Sequence, residues 1–204
     1  ARSLFWSVNW NLVHLYRKMN KLPQALDKLT VLLSLLQNNT DSFEAGQVYR
    51  AMGEIYQERG DGTNAAHFLE KSIQELKADP GDNANPQEQE TGKITRNRQL
   101  CRALLSLGLF LLERGDLEQA EETLKESLAQ AGEQEGLDGL LAEAHLLLAQ
   151  IHNRKSDLER GLALNREALE LAEQAGDLHA ITRSIRAICE THLARGDHDR
   201  ATAS

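Results

Sequence analysis

Five short turns recur along the 204-residue chain, and their spacing restricts the fold more than any other feature. Gly60, Gly115, Ser156 and Gly196 close the stretches YRAMGEIYQERGD (49–61), RALLSLGLFLLERGD (102–116), AHLLLAQIHNRKSD (144–157) and RSIRAICETHLARGD (183–197). Asn20 closes a fainter copy, NWNLVHLYRKMNK (9–21). The turns follow one another at intervals of about 40, 55, 41 and 40 residues, a period at which one supersecondary unit stacks on the next. The long interval holds about fifteen extra residues, ADPGDNANPQEQETG (78–92), polar and carrying two of the three prolines. This composition cannot form a core and reads as an inserted loop, assigned to residues 79–92.

Each unit obeys the same rule. Seven residues before the turn stands a small side chain, Gly53, Gly108, Ala149 or Cys189, with Val13 the exception. Five residues after it stands another, Ala25, Ala65, Ala120, Gly161 or Ala201. Small residues on both sides of a tight turn let two antiparallel helices approach closely, and larger residues four before the turn (Tyr16, Tyr56, Leu111, His152, His192) fill the space beside them. Apolar residues after the turn keep helical spacing, as in Leu117, Ala120, Leu124 and Leu128. The chain is 41% hydrophobic but only 4% aromatic, so its core is aliphatic, and an all-α fold of helix-turn-helix units is expected.

The longest apolar run, Ala103 to Leu112, is about half of what a bilayer crossing needs. It is read as the buried centre of the third unit, and no membrane contact is expected. A net charge of −8 disfavours direct nucleic-acid binding, which needs clustered cations. The charge is uneven: residues 1–30 carry five cations against Asp27, whereas residues 113–143 hold ten acids against Arg114 and Lys125. Cys101 and Cys189 form no disulfide framework, which points to a reducing, cytoplasmic setting. The opening ARSLFWSVNW has no signal-peptide layout, and the fifth unit stops at DHDRATAS; both are read as signs of a piece of a larger protein.

Small residue, aromatic, Gly-Asp and Ala at these offsets resemble the tetratricopeptide repeat family, most closely in Gly53-Tyr56-Gly60-Asp61-Ala65 and Gly108-Gly115-Asp116-Ala120. The family's closing Pro is missing, and the period exceeds its usual 34 or so, as in the extended repeats of kinesin light chains, Pins-type adaptors and the sensor arrays of bacterial signalling ATPases. The resemblance implies a right-handed superhelical solenoid of five repeats (5–40, 42–78, 93–132, 137–175 and 177–204, the last incomplete) in a single array. It also implies a concave wall made by the first helix of each repeat, which holds a peptide or helix of a partner.

In the family, wall residues lie about three, six and ten positions before the turn. Carried over, these are Trp10, His14 and Arg17 in the first repeat, then Arg50, Glu54 and Gln57 in the second. The third supplies Leu105, Leu109 and Leu112, preceded by Arg102; the fourth supplies Leu146, Gln150 and Asn153; and the fifth supplies Arg186, Glu190 and Leu193, preceded by Arg183. The expected surface is an apolar middle of Leu105, Leu109, Leu112 and Leu146 bracketed by Trp10 and arginines, suited to an amphipathic helix or hydrophobic peptide with acidic flanks. The competing reading buries these leucines against neighbouring helices. Self-association through exposed terminal repeats is a further expectation, with Phe5, Trp6 and Trp10 at one edge.

The carboxylate clamp of tetratricopeptide co-chaperones finds Trp10, His14, Ala51, Arg102 and Ser106 at its positions and does not match. His145 and His152 lie seven apart on one helix face but at packing positions, and GDGTN (60–64) lacks the Lys-Ser/Thr of a phosphate loop. No catalytic group, metal or cofactor is expected. The sequence thus points to a protein-interaction scaffold or adaptor, with an effector-sensing array of a signalling ATPase or transcription activator as the alternative.

Overall fold

The computed structural model describes residues 2–36, 42–78, 86–132 and 136–196, all of them in helices or the turns between helices. They form two compact units, residues 1–106 and 107–204. The first contains α1 (Arg2–Lys18), α2 (Leu22–Leu36), α3 (Ser42–Glu58), α4 (Gly62–Lys77) and most of α5 (Pro86–Arg114). The second contains the end of α5, then α6 (Leu117–Ala131), α7 (Asp138–Arg154), α8 (Leu158–Ala175) and α9 (Leu178–Arg195). The all-α expectation holds, and helices pair as α1–α2, α3–α4 and α7–α8 across the repeated turns.

The turns are alike for one backbone reason. Asn20, Gly60, Gly115, Ser156 and Gly196 all take the left-handed conformation, with φ of 54°, 75°, 87°, 65° and 81°. That geometry ends a helix by returning N–H groups to its last carbonyls. Lys21, Asp61, Asp116 and Asp157 N–H donate to the carbonyls of Tyr16, Tyr56, Leu111 and His152 at 2.8–3.0 Å. At two of these turns the Asp that follows then caps the next helix, Asp61 accepting from Asn64 N–H and Asp157 from Arg160 N–H.

Small residues allow the close approach. A Cβ on Gly53 would lie 2.7 Å from Leu69 Cγ, and one on Gly108 would lie 2.6 Å from Leu124 Cδ2. The −7 residue therefore receives a leucine from the second turn of the next helix, while Ala25, Ala65 and Ala120 are fully buried close by. At Gly161 the obstacle would be Asn153 Oδ1 at 1.9 Å.

One boundary is corrected. Residues 86–92, expected as the end of the inserted loop, form the first turns of α5. Pro86 opens the helix, where its fixed φ is suitable and its missing N–H costs nothing. Residues 79–85, and the 197–204 segment read as an incomplete helix, lie outside the described residues. Further along α5, the Arg96 guanidinium donates to the carbonyls of Glu75 and Ala78 and to Ser42 Oγ at 3.1–3.2 Å, satisfying orphan carbonyls at the end of α4.

Candidate functional site

In the first unit the turn-proximal side chains of successive first helices meet. Arg17 of α1 reaches Glu54 of α3 at 2.9 Å and Glu58 at 2.5 Å. Arg50, one turn before Glu54 on α3, pairs with the same carboxylate. Ser106 Oγ of α5 donates to Glu54 Oε1 at 3.0 Å. Glu54 is thus the hub of a charge-assisted network joining three first helices. Burial alone would push its carboxyl up, but the Arg50 and Arg17 guanidiniums outweigh that and hold it below the ordinary carboxylate range. For Arg17, burial opposes the charge, and the bonds to Glu58 and Glu54 override it, so its pKa is raised.

Of the remaining expected wall residues here, Trp10 is half-buried and meets exposed His14 edge-on, with ring centroids 5.8 Å apart. Trp10 also stacks on Trp6 at 6.2 Å. Gln57 is half-buried and Arg102 is exposed. Leu105 is buried, contrary to its place in an open apolar surface.

In the second unit Leu112 and Leu146 are buried as well, and only Leu109 keeps partial exposure. The expected apolar middle is therefore core: a helix apolar on all sides finds neighbours on all sides. Gln150 is exposed on α7, and Arg186 and Glu190 are exposed on α9, 3.7 Å apart. Arg183 pairs with Glu143 at 3.5 Å, again from one first helix to the next. Asn153 Nδ2 donates to Thr191 Oγ1 at 2.9 Å, and buried Asn165 of α8 donates to the same oxygen at 3.1 Å.

Sequence reasoning missed Glu58, Ser106, Glu143, Asn165 and Thr191. A signal existed for part of this set, since polar residues stand three before the turn in one repeat (Arg17, Asn153) and five or six before it in the next (Thr191, Glu54). His145 lies 3.0 Å from Glu167, with burial lowering its pKa despite that neighbour. His152 lies 3.2 Å from Asp157. Among the described residues no three His, Cys, Asp or Glu side chains converge as a metal site would require, and no helix is long and apolar enough to cross a membrane.

Paired helices closed by left-handed turns, with first helices meeting side by side within each unit, define the helical-repeat class. Residues 99–174 match the family model described as tetratricopeptide repeat. No curated protein matches the sequence. Among solved structures the chain is similar to the apo form of RapI, with a TM-score of 0.75 and 12% identity over 100% of this chain and 52% of RapI. It is also similar to BtubC from P. vanneervenii (0.71, 17% identity, 94% and 73%) and to residues 41 to the end of MamA from Desulfovibrio magneticus RS-1 (0.61, 16%, 97% and 89%). The chain thus spans about half the length of RapI and most of the MamA segment. At these identities the likeness carries the fold, a helical-repeat solenoid of the tetratricopeptide type.

Proposed function

We propose that the chain is a protein–protein interaction module, a cytoplasmic scaffold or adaptor rather than an enzyme, whose first-helix walls hold a segment of a partner protein. The observation that carries this is the meeting of first helices through polar side chains, Arg17–Glu54–Ser106 in one unit and Glu143–Arg183 and Asn153–Thr191 in the other. A wall so built is fixed in place before a ligand arrives, which lowers the ordering cost of binding. With Leu105, Leu112 and Leu146 buried, contact falls in the first unit to His14 beside half-buried Trp10, and in the second to Gln150, Arg186 and Glu190 with half-buried Asn153 and Leu109. That chemistry suits a polar peptide held through side-chain and main-chain hydrogen bonds better than the acid-flanked hydrophobic helix expected from the sequence. Arg50 and Arg17 are already committed to Glu54, so they offer less to an acidic ligand than an unpaired arginine would.

The test is affinity capture from the cells of origin, followed by titration of the purified partner against variants. His14→Glu, Gln150→Arg and Arg186→Glu should each weaken binding, while Glu122→Arg and Glu170→Arg, exposed on second helices, should not. Equal binding by both sets places the contact elsewhere and ends the wall reading.

A further inference from the structure

Four residues of the second unit depart from the repeat's register together. Nine residues after the turn, Leu29, Leu69 and Leu124 are fully buried, and the fourth repeat has buried Asn165 instead. Five after it, Ala25, Ala65 and Ala120 give way to Gly161. Five before it, α3, α5 and α7 bury Ile55, Phe110 and Ile151, whereas α9 buries Thr191. Three before it, fully buried Leu112 of α5 is followed by Asn153 of α7. At these positions the seam between the third and fourth repeats therefore has Leu112, Ala120, Leu124 and Ile151, and the next seam has Asn153, Gly161, Asn165 and Thr191.

The four polar or small residues meet. Thr191 Oγ1 accepts from Asn153 Nδ2 at 2.9 Å and from Asn165 Nδ2 at 3.1 Å, and it donates to the Ala187 carbonyl at 2.8 Å. That uses its one proton and both lone pairs, so a single hydroxyl of α9 holds an amide from α7 and another from α8. Gly161 is the seat. A Cβ there would lie 1.9 Å from Asn153 Oδ1 and 2.8 Å from its Cγ, so the methyl group of the other repeats is incompatible with this inward amide. The Oδ1 atoms of Asn153 and Asn165 are themselves buried and accept no hydrogen bond. Buried orphan acceptors lower stability, and an apolar seam has none.

We propose that this polar seam is a register lock, which admits α9 alone onto the fourth repeat, in one position, at a cost in stability. Stacked units that share one register are open to mispairing. Here α7 in the place of α9 would bring Ile151 to the position of Thr191 and strand both amides, and α9 on the third repeat would find leucines where its hydroxyl needs donors. A buried polar group that is satisfied by one partner only fixes register in this way. Asn153, Asn165 and Thr191 are thus positioning residues, which set the first-helix face of α9 against that of α7, and the assignment does not depend on what the wall binds.

The test uses the whole chain, with urea unfolding followed by circular dichroism. Asn153→Ala should lower the midpoint by about 0.3 M or more, and by less than half as much in a Thr191→Val background, where the amide has already lost its acceptor. Gly161→Ala should lower the midpoint of the wild type yet raise that of Asn153→Ala, in which only alanine's better helix propensity remains. Grafting the third seam onto the fourth, as Asn153→Leu, Gly161→Ala, Asn165→Leu and Thr191→Ile together, should leave the midpoint equal or higher. The graft should also double or broaden the backbone amide signals of α9 in proton–nitrogen correlation spectra, where the wild type gives one sharp set. Additive effects of Asn153→Ala and Thr191→Val, or a Gly161→Ala effect of the same sign in both backgrounds, overturn the lock. So does a graft with a single sharp set of α9 signals, which needs no polar group for its register, or a graft less stable than the wild type, which would make the polar set a source of stability.

Discussion

Replacing Glu54 by Gln removes one charge from the hub of the first unit and leaves its shape. Hydrogen bonds to charged groups are worth about 1.5–3 kcal/mol each, and stripping one partner from a fully buried ion pair costs about 3–5 kcal/mol. Here the side chains of Glu54 and Arg17 keep 20% and 25% of their exposure, so water recovers part of that loss. Arg17 also retains Glu58, and the new amide oxygen still accepts one bond. The expected cost at pH 7 is about 2 kcal/mol, between the exposed and the buried limits. Its pH dependence follows from the depressed carboxyl. The folded pKa lies below the unfolded one, so the stabilisation from Glu54 is complete above the ordinary carboxylate range, near 4.3, and is lost as pH falls through the folded value. Urea unfolding followed by circular dichroism, at pH 7 and in steps toward pH 3, should show a gap between wild type and Glu54→Gln that closes at the acidic end. A gap under about 0.5 kcal/mol at pH 7 would mean that the network contributes no more than surface pairs do. A gap that persists unchanged at low pH would show that the loss comes from packing rather than charge.

Two further predictions concern the hairpin itself. Gly108→Ala puts a Cβ within 2.7 Å of both Leu124 Cγ and Cδ2. It should destabilise by about 1–3 kcal/mol in thermal or urea unfolding, while an unchanged midpoint would show that Leu124 can move aside. Ser156 holds φ at 65° without being glycine, so Ser156→Gly should stabilise by about 0.5 kcal/mol, and Gly60→Ser should cost a similar amount. Equal midpoints for wild type and both variants would remove backbone strain as the reason for glycine in these turns.

The sequence determined the helical hairpin, its turns and its period. These depend on local chemistry: a glycine or asparagine takes the left-handed conformation, an aspartate caps the next helix, and small residues recur seven before and five after the turn. Such requirements act over a few residues and leave a mark that repetition amplifies. Even Pro86, whose helix start was read as loop, carried a local signal in PQEQE that the polar composition masked. Tertiary structure alone decided which first-helix residues face a ligand. Leu105, Leu112 and Leu146 hold wall positions by offset yet are buried, because exposure depends on which neighbours close over a helix and how nearly, and no offset along one chain segment encodes that. Arg50, expected to await an acidic ligand, is one turn from Glu54 on the same helix, whereas Arg17 meets Glu54 across a separation of 37 residues, a contact that only the packed fold creates.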